Sequence, residues 1–173
     1  MLPYWLRNLV HRARGWKQEA YRLADVNVRS SLSAQVVRAD GTTEDLGVLS
    51  RRVVTTAGVN WLATAFTNTV EPETLNWHDC GTGTTAEAVG QTGLITPYGG
   101  ARVAGTQSTP GSVNIYRTVA TISFTGTFAI TEHGIFTAST SGTLFDRSVF
   151  SAINVANGDS IQYTYELTLP SGG

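Results

Sequence analysis

The chain has 173 residues, of which 41% are hydrophobic and 14% are charged, and its formal net charge is −1. This length is enough for one domain with a sizeable core, and the single cysteine, Cys80, excludes a framework of intrachain disulfides. No apolar run approaches the roughly 18 residues that a membrane-spanning helix needs, and no continuous apolar segment of the signal-peptide kind follows the basic N-terminus.

Charge is unevenly distributed along the chain. Residues 1–29 hold six basic side chains against two acidic ones, a balance of +4, so the rest of the chain carries −5. The basic residues are Arg7, Arg12, Arg14, Lys17, Arg22 and Arg29. This asymmetry predicts that the N-terminal segment is a separate functional piece.

The N-terminal segment has the apolar spacing of an amphipathic helix. Its apolar residues recur at alternating intervals of four and three, at Leu2, Leu6, Leu9, Ala13, Trp16, Ala20 and Leu23. Gly15 lies inside this span and costs a helix about 1 kcal/mol relative to Ala, so we expect the helix to need a partner surface. We therefore predict a helical docking arm over residues 1–28, with partner-docking residues Leu2, Trp5, Leu6, Leu9, Trp16 and Leu23.

Three partners for this arm are compatible with its residues. Its arginines could contact DNA, but one lysine and no clustered basic patch make a weak electrostatic footprint. Its Trp and Tyr residues beside arginines would also suit a membrane interface. Docking on another protein is favoured, because Trp, Tyr and Arg are preferred interface anchors and docking also explains the heptad spacing. We expect no specific nucleic acid and no membrane among the partners.

The next segment changes to strand-like sequence. Strands are predicted over residues 31–38 and 46–54, joined through Asp40-Gly41, which is a strong hairpin signal. Thr56 is the predicted N-cap of one short internal helix over residues 57–66. The apolar side of this helix is predicted to contain Val59, Leu62, Ala63 and Phe66.

The second half of the chain is rich in short strands. After a Gly- and Thr-rich excursion over residues 81–100, strands are predicted at 101–106, 114–125, 128–133, 134–138, 144–150 and 160–169. The last strand alternates clearly, with Ile161, Tyr163, Tyr165, Leu167 and Leu169 on one side. The pattern predicts a mainly β protein, an antiparallel, jelly-roll-like β-sandwich over residues 29–170 behind the N-terminal amphipathic helix.

His78-Asp79-Cys80 is the place where three reactive side chains cluster. His78 and Cys80 can share one face of a strand, with His133 as a third member, so a Cys–His hydrolase or a metal site is conceivable. Too few ligands are in sight for zinc, however, and the favoured interpretation is a strand that buries either Trp77 and Asp79 or His78 and Cys80 against the sheet. We predict no catalytic residue, no metal and no cofactor.

Two further polar motifs have structural explanations. The Gly81-Thr82-Gly83 segment resembles a phosphate-binding loop only superficially, because the required lysine is absent. We predict a turn in which the glycines allow positive φ. Glu132 and Arg147 are predicted to pair across neighbouring strands or at a subunit contact, rather than to act as an acid–base dyad.

The order of these motifs carries a resemblance to a known class of proteins. His78-Asp79-Cys80-Gly81-Thr82-Gly83, then Ile130-Thr131-Glu132-His133-Gly134, then Leu144-Phe145-Asp146-Arg147 and the closing strand 160–169 follow one another. This ordered set resembles a module of tailed-bacteriophage virion structural proteins of the decoration or tail-fibre-like type. The resemblance covers about half the chain and implies a particle component made in the host cytoplasm that docks on other proteins.

Within that class we expect a non-enzymatic capsid decoration (cement) protein, a homotrimer that bridges and stabilises neighbouring subunits of the major capsid protein. The alternative is a tail, baseplate or fibre component near the receptor-binding apparatus, with a tail or baseplate protein as its partner. The chain is short for a complete fibre and lacks shaft-like repeats, which favours the shell. A third possibility is a hydrolase or carbohydrate-binding module that uses Trp61, Trp77 and Tyr98 as stacking surfaces.

Overall fold

The computed structural model describes residues 28–51, 53–111 and 114–170. One compact unit runs from Arg29 to Thr168; the other consists of Met1–Val28 and Leu169–Gly173, of which three residues are described. The predicted N-terminal helix and its docking residues Leu2, Trp5, Leu6, Leu9, Trp16 and Leu23 therefore lie outside the described residues.

The described part of the chain is mainly β and forms two antiparallel five-stranded sheets. In chain order its elements are β1 (Arg29–Val37), β2 (Thr43–Ser50), β3 (Val53–Val54), α1 (Thr56–Ala65), a 3-10 helix (Pro72–Thr74), β4 (Trp77–Gly81), β5 (Val103–Ala104), β6 (Thr106–Ser108), β7 (Ile115–Ser123), β8 (Phe128–Phe136), β9 (Leu144–Val155) and β10 (Ser160–Thr168). The first sheet has the order β2-β1-β10-β7-β6 and the second has the order β3-β9-β8-β4-β5.

Strand β10 lies at the centre of the first sheet and has the predicted alternation. Tyr163, Tyr165 and Leu167 are at most 4% exposed, whereas Gln162, Thr164 and Glu166 on the other face are half-buried. Successive side chains of a strand point to opposite faces, so the apolar set of β10 lies between the sheets. The predicted alternation is confirmed for Ser160–Thr168, whereas Leu169, which was predicted on the same side, lies beyond the end of β10 and is 41% exposed.

The inner faces of the two sheets pack on each other. The ring of His133 on β8 lies 4.5 Å from the ring of Tyr163 on β10, centre to centre. The Tyr165 hydroxyl of β10 donates a hydrogen bond to Asp146 on β9. The prediction of a mainly β, antiparallel two-sheet protein with one short internal helix is confirmed for the described residues.

Several strand boundaries differ from the predictions. Residues 128–136 form one strand rather than two, because Gly134 continues β8 at a site where a side chain would contact Phe136, Leu144 and Leu94. β9 runs on to Val155, well beyond the predicted end. The predicted strands 46–54 and 101–106 are each divided into two shorter ones, β2 with β3 and β5 with β6.

The internal helix is capped and oriented differently from the prediction. Thr55, not Thr56, is the N-cap: its hydroxyl accepts a hydrogen bond from the Gly58 amide and donates one to the Leu144 carbonyl. Gly58 is the buried residue of α1 and packs against the backbone of Phe145. A Cβ at this position would lie 2.5 Å from the Phe145 carbonyl oxygen, so the close approach requires glycine. The exposed side chains of the helix are Thr56, Val59, Asn60, Ala63 and Thr64, with Phe66 exposed just beyond its end.

Candidate functional site

Glu132 and Arg147 form a salt bridge on the face of the second sheet that points away from the first. His133 faces the first sheet, so its neighbour Glu132 on β8 points outward. The Arg147 Nη2 atom lies 2.7 Å from Glu132 Oε2, and Arg147 Nε donates a 2.8 Å hydrogen bond to the same oxygen. Both side chains are at most 1% exposed, because residues 82–100 cover them.

Residues 82–100, which we call the anchored loop, are held by the Glu132 carboxylate. Oε1 accepts hydrogen bonds from the amides of Gly83 and Thr96, and Oε2 accepts one from the amide of Ile95. Burial by itself raises the pKa of Glu132, but the amides of Thr96 and Ile95 and the guanidinium of Arg147 outweigh it and hold the pKa below its ordinary value. Glu132 therefore stays ionised and ties the two ends of the loop together.

Arg147 fixes the middle of the anchored loop. Its Nη1 atom donates to the Thr85 carbonyl and to Gln91 Oε1, each at 3.0 Å. The carboxylate of Glu87 adds a further connection, since it accepts a 2.8 Å hydrogen bond from the amide of Val149 on β9. A loop without helix or strand is thus attached at both ends and at its centre.

Gly81 and Gly83 are needed for close approach rather than for an unusual backbone. A Cβ at Gly81 would lie 2.3 Å from the Thr96 carbonyl oxygen, and one at Gly83 would lie 2.5 Å from Glu132 Oε1. Neither glycine has positive φ, so the prediction of positive φ at these positions is wrong. Its error was to assign the glycines to a tight turn when they border a packed carboxylate.

The predicted reactive cluster lies in the core. His78 Nδ1 is 3.0 Å from His133 Nε2, and His78 Nε2 is 3.2 Å from the hydroxyl of Thr118 on the opposite sheet. His78, Cys80 and His133 are at most 2% exposed. Burial lowers the pKa of His78 to about 3, lowers that of His133 and raises that of the Cys80 thiol. The two imidazoles and the Cys80 thiol are therefore neutral and enclosed in the core.

The arrangement of this cluster suits cohesion between the sheets. A Cys nucleophile acts as the thiolate, and burial in apolar surroundings disfavours that form. Within the described part of the chain no three His, Cys, Asp or Glu side chains are grouped as metal ligands would be. Tyr163, whose ring lies against His133, belongs to the same cluster, and nothing in the sequence indicated this contact.

Asp79 points to the other side of β4 and meets Arg102. The Arg102 Nε atom is 3.6 Å from Asp79 Oδ2, and the guanidinium carbon lies 3.4 Å above the centre of the Phe136 ring. Arg102 also donates to the Ala138 carbonyl. Such a cation–π contact combined with an ion pair attaches the segment after the anchored loop to β8. No motif around Arg102 in the sequence indicates this role.

The aromatic residues considered as stacking surfaces contribute to packing. Trp61 meets Phe145 edge to face at 6.1 Å between ring centres. Tyr98 packs against Phe124 at 5.3 Å and against Phe128 at 5.7 Å. Trp77 is half-buried in β4.

Exposed large apolar side chains are concentrated in one region, formed by α1 with Phe66 and by the anchored loop. We call this region the outer layer; its two parts join where the Thr56 amide donates to the Val89 carbonyl. Of the five such residues that the structure describes within Arg29–Thr168, four lie there, namely Val59, Phe66, Val89 and Ile95, and Phe66 is 88% exposed. Residues 53–70 contain no charged side chain, so this part of the outer layer is neutral.

Comparison of the chain with protein-family models, with curated proteins and with solved structures gave no match. Among the described residues, no helix has the length and apolar character needed to cross a membrane.

Proposed function

We propose that this protein is a structural component of a tailed-bacteriophage virion, and that it acts without catalysis as a decoration protein on the capsid. The proposal begins from the order of sequence motifs between His78 and the last strand, which resembles that class of virion proteins. It places the protein in the virion after synthesis in the host cytoplasm. It assigns the sandwich to the jelly-roll type, in which each sheet combines early and late strands, as β10 lies between β1 and β7.

The observation that carries the proposal is the anchored loop. An ordered loop of this length without secondary structure is usually functional, and here the buried Glu132–Arg147 pair holds it in one conformation. A surface that is ordered before binding loses less conformational entropy when a partner docks. This property suits a protein that must add to a preformed shell.

The outer layer supplies a surface of matching chemistry. Phe66, Val59 and Val89 are exposed, and the segment 53–70, which contains Val59 and Phe66, has no charged side chain. An aromatic side chain that is exposed in the free protein is a typical interface anchor. The partner we propose is an uncharged, apolar patch of the major capsid protein. A nucleic acid would require basic groups that this surface lacks.

The N-terminal segment is the second proposed attachment. Its apolar residues Leu6, Leu9 and Trp16 would dock on a virion protein, and its positive charge would favour an acidic partner surface. We propose that three copies assemble on one site of the shell.

The test is the copy number of the protein in purified virions, measured by quantitative mass spectrometry against the major capsid protein. Hundreds of copies per particle would support a decoration protein of the shell. A small multiple of three or six would instead assign it to the tail or baseplate and overturn the capsid assignment.

A binding assay with stripped particles tests the attachment. We expect the chain lacking residues 1–25 to bind more weakly than the full chain, and Trp16→Ala to weaken binding by about 2 kcal/mol, as for an interface anchor. Arg14→Ala, on the other side of the predicted helix, is the matched control and should have little effect. Equal occupancy by the truncated and full chains would show that the segment is not an attachment.

A further inference from the structure

Asp146 is a carboxyl group enclosed between the two sheets. It lies on β9, is 3% exposed, and points inward, on the opposite side of the strand from Arg147. The Tyr165 hydroxyl of β10 donates to Asp146 Oδ2 at 3.2 Å, and the side chain of Ser30 on β1 makes a further hydrogen bond. Both partners belong to the first sheet, so Asp146 bridges the sheets.

No cation balances this carboxyl group within the described residues. None of the salt bridges there includes Asp146, and the neighbouring Arg147 is committed to Glu132 on the other face. The strands paired with β9 present Val54 from β3 and Ile135 from β8. The charged group that acts on Asp146 from the anchored loop is Glu87, which has the same sign.

An ionised carboxylate in such a place is costly, whereas a neutral acid can both donate and accept hydrogen bonds. Burial accordingly raises the pKa of Asp146 to about 7, although the hydrogen bonds from Ser30 and Tyr165 act in the opposite direction. The proton of this group therefore leaves to solvent close to neutral pH, while carboxyl groups with ordinary surroundings lose theirs near pH 4.

We propose that Asp146 is a protonation switch: its neutral form holds β9 against β10 and β1, and loss of its proton weakens this contact. The effect extends to the outer layer, because the amide and hydroxyl of Thr55 bind the carbonyls of Phe145 and Leu144, just before Asp146. A movement of β9 at Asp146 therefore acts on the two carbonyls that hold Thr55, the N-cap of α1. This inference is independent of the proposed role in the virion.

Hydrogen exchange of the full-length protein tests the switch, with Asp146→Asn as the variant that imitates the neutral acid. The exchange rates of amides in β3 and β9 are compared between the unmodified protein and the variant from pH 5 to pH 8.5. The ratio of the two rates removes the ordinary pH dependence of exchange. We expect this ratio to rise about tenfold per pH unit up to about pH 7 and to become constant above it.

A ratio that does not change with pH would overturn the proposal, because Asp146 would then ionise alike in the closed and open states. A direct measurement covers the case in which the variant does not fold. The carboxyl carbon resonance of Asp146 in the unmodified full-length protein should titrate between pH 6 and pH 8. A titration complete below pH 5 would exclude the switch.

Discussion

Glu132 and Arg147 are neighbours on β8 and β9 and form a fully buried pair that also holds a 19-residue loop through its backbone. Gly134, not Glu132, is the direct cross-strand partner of Arg147, so the two charges meet diagonally. The pair is surrounded by hydrogen-bond partners on the loop side, which compensates part of the cost of removing two charges from water.

Breaking this pair should release the anchored loop. Arg147→Met leaves the Glu132 carboxylate buried without its cation, so we expect the free energy of unfolding to fall by about 3 kcal/mol or more. Urea denaturation measures the loss, and hydrogen exchange at the amides of Ile95 and Thr96 reports the release of the loop.

The partly exposed pair Arg117 and Glu166 provides the control. Their atoms are 2.6 Å apart, closer than in the buried pair, but the two side chains are 36% and 28% exposed. Arg117→Met should therefore cost no more than about 1 kcal/mol. Equal losses for Arg117→Met and Arg147→Met would contradict the anchoring role of Glu132.

Two glycines of the same loop should respond differently to alanine. A methyl group at Gly83 would lie 2.5 Å from Glu132 Oε1, so Gly83→Ala should cost about 1 to 3 kcal/mol of stability through overpacking. Gly93 has no atom within 4 Å of the corresponding position and no positive φ, so Gly93→Ala should be neutral or slightly stabilising. Thermal unfolding of both variants shows whether the loss of stability comes from the contact at Gly83 or from a sensitivity of the whole loop to substitution.

Acid should destabilise the core through its two histidines. Burial lowers the folded-state pKa of His78 to about 3 and lowers that of His133, so both bind protons more readily in the unfolded chain. Stability is then lost as pH falls below about 6.5, by about 1.4 kcal/mol per pH unit for each histidine. Asp146, with its raised pKa, acts in the opposite direction between about pH 7 and pH 4.

With two histidines against one aspartate, the net effect is a loss of stability from pH 6.5 to pH 4. Urea midpoints across this range measure it. His78→Gln should lower stability at pH 7. It should also flatten the pH dependence between pH 6.5 and pH 4, because the one remaining histidine is then opposed by Asp146. An unchanged slope in this variant would show that His78 does not titrate on unfolding.

The outer layer should allow binding to be separated from folding. Phe66 is 88% exposed, so Phe66→Ser should change the unfolding free energy by no more than about 0.5 kcal/mol. It should nevertheless weaken attachment to stripped particles by about 2 kcal/mol if Phe66 is an anchor. Trp61→Ala is the contrasting variant: it removes the contact with Phe145 and should lower stability by about 3 kcal/mol. If Phe66→Ser binds stripped particles as well as the unmodified protein does, the outer layer is not part of the proposed interface.

Sequence patterns predicted the two-sheet architecture best where apolar and polar residues alternate strictly. The alternation of Tyr163 and Tyr165 with Gln162 and Thr164 identified the buried face of β10. The same logic failed at Gly134, because a glycine that marks a break in many strands here makes room for side chains of neighbouring elements.

The candidate site was predictable only as a pair of charges. Glu132 and Arg147 stand out as charged residues in strand-like sequence, and their opposite signs suggest a contact. The partners of Glu132 in the loop are backbone amides up to 49 positions away. Every residue except proline has such an amide, so the sequence does not indicate which ones bind Glu132. Asp146 was missed for a related reason, since whether it points inward depends on the register of β9.

The central position of β10 has a consequence for synthesis on the ribosome. β1 and β7 do not pair with each other, and both pair with β10 along its whole length. While the chain is being made, the first sheet consists of two separate pieces, and the edges of β1 and β7 that will pair with β10 stay open until β10 has emerged from the exit tunnel. Pairing between strands more than 120 positions apart is slow, and open edges invite pairing with other chains. Newly made copies are therefore prone to aggregate through these open edges until β10 is in place. Chaperones that bind nascent chains would raise the yield of folded protein during this period.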